Sequence, residues 1–157
     1  MAIEYSLNIS TTQSAEDIAR SLRAAALEMD LIPSSTTDAD ILNGTVTATE
    51  TWIRVSEQRP NPFNPVVTDF DFSPTVVVWF RMGKETSISL QQDKMIRLVT
   101  ALLALDESDA ILHREYEDIW LLRKNGELTL SNSSDSWTPS RLTSVTTPYE
   151  RVTHIFK

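Results

Sequence analysis

The residues of this chain whose types and spacing could do chemistry are two histidines and four groups of acids. His113 and His154 are the only side chains with an ordinary pKa near neutrality. His113-Arg114-Glu115 has the His-x-Glu spacing of zinc deaminases, where imidazole holds the metal and glutamate moves protons. That chemistry also needs a Pro-Cys-x-x-Cys partner, and the chain has no cysteine. A zinc site built from His113, His154 and Glu115 therefore competes poorly with a surface histidine beside a loop, and no metal site is expected. The acids group as Asp38/Asp40, Asp69/Asp71, Asp106/Asp109 and Glu115/Glu117/Asp118. Two carboxylates can do acid–base or glycosidic work when a cleft holds them at a defined separation, whereas acids beside turns are ordinarily solvated. Asp69 and Asp71 stand out because alternation with Phe70 and Phe72 places both on one side of an extended segment. Glu115, Glu117 and Asp118 come next. Both groups flank predicted strands, so a sheet edge or face lined with acids would suit a Lys/Arg-rich partner. Trp137, isolated in a polar stretch, is the candidate exposed aromatic anchor, with a loop pin as its plainer reading.

Other chemistries lack their residues. No G-x-S-x-G elbow occurs, and three glycines, at 44, 83 and 126, cannot make a phosphate-cradling loop. The absence of cysteine removes disulfides, zinc–thiolate and iron–sulfur sites and thiol nucleophiles together. No catalytic residue and no cofactor is assigned. The net charge is −8, distributed as −5 over residues 1–60, −5 over 61–118 and +2 over 119–157. An acidic body argues against tracking nucleic-acid phosphates and suits a basic protein partner, with simple solubility the competing explanation. No run approaches the ~18 apolar residues of a membrane span. No Lys or Arg precedes Arg20 and no apolar leader is present, so a cytoplasmic location is expected.

A chain of 157 residues is most simply one domain. The stretch Phe70–Met82, FDFSPTVVVWFRM, reads as the central strand, because Thr75 to Phe80 cannot meet water on either face of a pleat. Ala2–Ser10 alternates with period two and reads as a half-buried strand. Ser14 caps a helix whose stripe is Ile18, Leu22, Ala25 and Met29. Pro33–Asp40 reads as a mobile polar loop, and Ile41–Ser56 as strand material, either one bent strand or a hairpin. Prolines 60, 62 and 65 speak against helix or central strand, and Phe63 is expected to tuck into the core. Ser89 and Gln92 have capping-box spacing ahead of a second helix, which ends in the acids Asp106-Glu107-Ser108-Asp109, where the dipole disfavours them. Asn125-Gly126 marks a hairpin from Ile119 to Leu130, and the tail VTHIFK either adds an edge strand or lies over the core. The fold expected is α+β: one mostly antiparallel sheet of about six or seven strands, order β-α-β-β-β-α-β-β with a further last strand open, and two helices on one face.

This pattern resembles a family of small bacterial proteins similar to the immunity proteins of myxobacterial swarming-inhibition toxins. The resemblance rests on IEYSLNIS followed by a helix, FDFSPTVVVWFR at 70–81, KMIRLVTALLAL at 94–105, DAILHREYEDIWLLRKNGELTL at 109–130, and Trp137 followed by Pro148-Tyr149. It implies a non-enzymatic cytoplasmic protein that binds and neutralises a toxin domain, and it carries over no binding residue. Two other classes stay open on the residues alone: a small α+β enzyme or ligand-binding domain using a carboxylate pair, and a self-associating structural domain.

Overall fold

The computed structural model describes residues 2–157. Strand β1 (Glu4–Ser10) is flanked on both sides by antiparallel neighbours, β4 (Val76–Arg81) and β5 (Asp109–Arg114). Outward from these lie β3 (Trp52–Glu57) and β2 (Thr45–Val46) on one side. On the other lie β6 (Asp118–Lys124), β7 (Glu127–Leu130) and β8 (Tyr149–Arg151). The sheet has eight strands in the order β2-β3-β4-β1-β5-β6-β7-β8, and only the β7–β8 pair is parallel. The expected α+β class and largely antiparallel sheet are observed, with one strand more than expected and a mixed edge.

Tyr5, Leu7 and Ile9 on β1, Val76, Val78 and Phe80 on β4 and Ala110 and Leu112 on β5 project to one face. There they meet Ile18, Leu22 and Ala26 of α1 (Ala15–Glu28) and Met95, Ile96, Val99 and Leu102 of α4 (Ile88–Leu103). Both long helices lie on this face, as their apolar stripes predict. Register slips in the β5–β6 pair so that Leu112 faces Leu121 and His113 faces Ile119. The bulge lets Trp120 join Leu121 on the helix side, where its ring meets Tyr5 edge-on at 5.1 Å. Trp79, by contrast, lies half-exposed on the opposite side.

Several expectations are corrected. The strand of the Phe70–Met82 stretch is confined to Val76–Arg81 and is third in the sheet. The middle is taken by β1, which is buried on both faces rather than half-solvated, because its polar residues Ser6 and Asn8 have partners under a second layer. Thr37 and Asp40 form a capping box that starts α2 (Asp38–Asn43), so Ile41 enters the core from a helix. Gly44, at φ +100°, then turns the chain into a β2–β3 hairpin, resolving the Ile41–Ser56 alternatives. Proline does not prevent a helix at residue 65: Pro65 occupies the first turn of α3 (Pro65–Phe70), where its missing N–H costs nothing. Phe63 is 86% exposed, not tucked. The cap of α4 is Ser87, not Ser89. Ahead of it, the Glu50 carboxylate accepts the N–H groups of Lys84, Glu85 and Thr86, which orders the turn between β4 and α4.

A short helix α5 (Pro139–Leu142) closes the helix side. Its Arg141, 2% exposed, pairs with Asp93 at 2.6 Å and donates to the carbonyls of Ser89, Asp135 and Ser136. The side chain of Trp137 is likewise buried, with its indole N–H on the Trp120 carbonyl at 2.8 Å, so it pins the loop and cannot be an exposed anchor. Replacing Val78, which has no exposed surface, with Asp places an unpaired charge in this layer. The loss expected is about 4 kcal/mol or more, and chemical denaturation followed by circular dichroism should find Val78→Asp unfolded while Trp79→Ala remains folded.

Candidate functional site

The sheet's second face is organised around a small apolar cluster: Ile111, Ile119 and Leu122 from β5 and β6, Val66 from α3, and Phe72. Phe70 and Phe156 pack against it. Asn64 caps α3 by accepting the Val66 N–H at 2.9 Å, which seats Val66 on the sheet. The C-terminal segment crosses the same face, tied down by Asn132 N–H on Thr153 Oγ1 at 2.9 Å and by a 3.0 Å contact of His154 Nε2 with Thr129 Oγ1. Phe156 then stands between Phe70 and Tyr116, 5.4 Å from each ring, and 5.3 Å from the His113 ring.

His113 lies beneath this cluster and is 1% exposed, not a surface residue. The Tyr116 backbone N–H can only donate, and it points at His113 Nδ1 at 3.0 Å. Nδ1 therefore carries no proton, and Nε2–H donates to Asn8 Oδ1 at 2.9 Å, with Ser6 Oγ at 3.4 Å. Burial lowers the imidazole pKa from 6.5 to about 4. Both ring nitrogens are engaged, so the zinc arrangement with His154 and Glu115 gains no support; among the described residues no group of three His, Cys, Asp or Glu is placed to hold a metal. What His113 does instead is hold a turn in which Glu115 and Tyr116 both have positive φ, 50° and 61°. That conformation is unfavourable for residues with a Cβ and needs outside support.

The turn displays the acids. Glu115, Glu117 and Asp118 are exposed around Tyr116, which is itself 44% exposed. Burial of the rest of its ring raises the Tyr116 phenol pKa. Arg114 braces the group, 2.6 Å from Asp118 and 3.8 Å from Glu117. Asp69, in the last turn of α3, accepts the Lys157 backbone N–H at 2.8 Å and so joins the far side of the Phe156 cluster. Asp69 and Asp71 do not share one side of an extended segment. The first is helical and the second is the left-handed cap of α3 at φ 58°, with its carbonyl accepting from Lys124. Asp69 and the turn bearing Glu115, Glu117 and Asp118 thus lie on either side of the Phe156 ring, Asp71 sits beside the β6–β7 end, and Trp137 belongs to the other face.

The remaining acid groups support the fold. Asp38 lies within 4.0 Å of both Arg20 and Arg23, and Asp40 completes the α2 capping box. Asp106 is not a misplaced charge. It accepts the Thr11 hydroxyl and the Gln13 amide, each at 3.1 Å, and lies 3.6 Å from Arg123. Burial raises its pKa, but hydrogen bonds from Ser108, Gln13 and Thr11 outweigh this and hold it below the usual carboxylate value.

A family model described as SitI3-like matches residues 3–141. The chain belongs to the SitI3-like family. No curated protein and no solved structure matches it. The SitI3-like match includes Asp69 and the Glu115–Asp118 turn, while Phe156 and the tail that completes the cluster lie beyond its end. Sequence reasoning missed Asn8, Tyr116, Phe70 and Phe156 as parts of the site. The signal available for Asn8 and His113 was polarity within strands, which does not distinguish a solvated face from a paired interior.

The folded state keeps His113 neutral, whereas the unfolded chain takes up the proton near pH 6.5. Stability contributed by this site should therefore be complete above pH 6.5 and fall as pH drops towards 4, by on the order of 3 kcal/mol. Histidine-resolved NMR should show a ring that is Nε2-protonated at pH 7 and titrates near 4. A His113→Gln variant should lose that ring's part of the acid slope in urea denaturation.

Proposed function

We propose that the protein is an immunity protein, which binds a toxin domain and neutralises it by occupation rather than by catalysis. Membership of the SitI3-like family supports the class. What supports a surface on the sheet's second face is that Asp69 and the turn bearing Glu115, Glu117 and Asp118 flank Phe156, against which Tyr116 packs. An aromatic centre with a charged rim is the composition expected of a protein-binding patch. The partner proposed is a basic toxin domain, met in the cytoplasm. Charge complementarity would raise the encounter rate, by about 10- to 1000-fold at low salt, and the effect would fade as the ions are screened. Asp71 lies at the margin of this surface beside Lys124 and is assigned a minor part.

The test uses a toxin domain sought in the open reading frames beside this gene. Co-expression should protect cells from it, and the purified pair should associate. The triple variant Asp69→Asn, Glu115→Gln, Glu117→Gln should fold normally, associate about tenfold more slowly at 50 mM salt, and approach the wild-type rate at high salt. Failure of the wild-type pair to associate at low salt would contradict the proposal.

A further inference from the structure

Phe63 has the highest exposure of the large apolar side chains, at 86%. Its backbone is nevertheless fixed on both sides. Pro60, Pro62 and Pro65 restrict φ at three of the six positions from 60 to 65. The Phe63 N–H donates to Asn61 Oδ1 at 3.0 Å, and the Asn64 N–H donates to the Asn61 carbonyl at 3.0 Å. Asn64 is buried and caps α3, and Val66, which is fully buried, anchors that helix to the sheet. The loop therefore has the stiffness to hold an aromatic ring in the core but directs it into water. Pro60, Asn61 and Pro62 beside it are exposed too.

The position links Phe63 to the acid–aromatic face. It stands just before the first turn of α3, and Asp69 and Phe70 end the same helix. Six helical residues span about 9 Å, well within the width of about 30 Å of the ~800 Å² patch that one partner contributes to an ordinary interface. We propose, building on the immunity reading, that Phe63 is the aromatic anchor of this face. It inserts into an apolar pocket of the toxin domain whose rim carries Lys or Arg facing Asp69 and the Glu115–Asp118 turn. Binding energy concentrates in a few aromatic residues, with charged neighbours shaping encounter, and a ring on a backbone already held in position loses less freedom when it docks.

Surface plasmon resonance with a toxin domain found by that search tests the assignment. Phe63→Ala should raise the dissociation rate at least about tenfold, leave the association rate within about twofold, and keep the wild-type thermal midpoint, because the ring is exposed in the free protein. Phe63→Trp should retain slow dissociation. If wild-type protein binds and Phe63→Ala dissociates at the wild-type rate, the anchor is overturned while the immunity reading stands. If the wild-type protein does not bind, the immunity reading fails and the anchor with it. Sedimentation of the free protein separates the remaining occupant: a wild-type dimer that Phe63→Ala converts to monomer would assign the ring to a second copy of this chain and overturn the proposal.

Discussion

Everything in this molecule depends on β1 being paired along both edges and covered on both faces. Its neighbours β4 and β5 are both antiparallel to it, so the first strand of the chain fixes the register of segments about 70 and 105 residues later. Tyr5, Leu7 and Ile9 secure the helix layer. Ser6 and Asn8, one residue out of phase, meet His113 on the other side. A shift of one residue would exchange the two sets and put amide and hydroxyl groups into the apolar layer. The Asn8–His113–Tyr116 chain of hydrogen bonds carries that register to the surface, where it sets the conformation of the turn bearing Glu115, Glu117 and Asp118.

The two faces of the sheet do different physical work. The helix side is closed: α1 and α4 cover it, Arg141 ties α5 to α4, and Trp137 fills the space beside Trp120. Among the described residues, the second side carries a six-residue helix, Phe72 just after it and the terminal segment, so aromatic rings there are partly covered, with acids at their margins. In the proposed function the helix side is scaffold and the second side is the surface offered to a partner.

What could be read in the sequence was what neighbouring residues decide. Asn125-Gly126 gives the expected hairpin turn, with φ of 53° and 81°, and Ser14 caps α1 as its spacing indicates. The valines of β4 and the stripes of both long helices find the core. What could not be read depended on distant partners. Ser6 and Asn8 looked solvated because alternation reports polarity, not whether a histidine more than 100 residues away satisfies it. Pro65 looked like a helix breaker because its meaning reverses at a first turn. Asp69 and Asp71 were read as an alternating pair, but a left-handed residue at 71 separates them. Trp137 looked exposed because its sequence neighbours are polar, whereas packing in the helix-side core and its indole N–H on the Trp120 carbonyl, 17 residues earlier, bury it. The candidate site was legible only as two acid groups; the aromatic centre that joins them comes from Phe156 near the end of the chain.

The central claim is that the second face, and not the helix layer, meets the partner. Amide hydrogen exchange of a complex with a cognate toxin domain, compared with the free protein, tests it most directly. The account predicts slowed exchange confined to the Phe63–Asp71 segment, the His113–Asp118 turn and the segment from His154 to Lys157, with α1 and α4 unchanged. Slowed exchange on the outer surfaces of α1 and α4, with the Glu115–Asp118 turn unaffected, would contradict it.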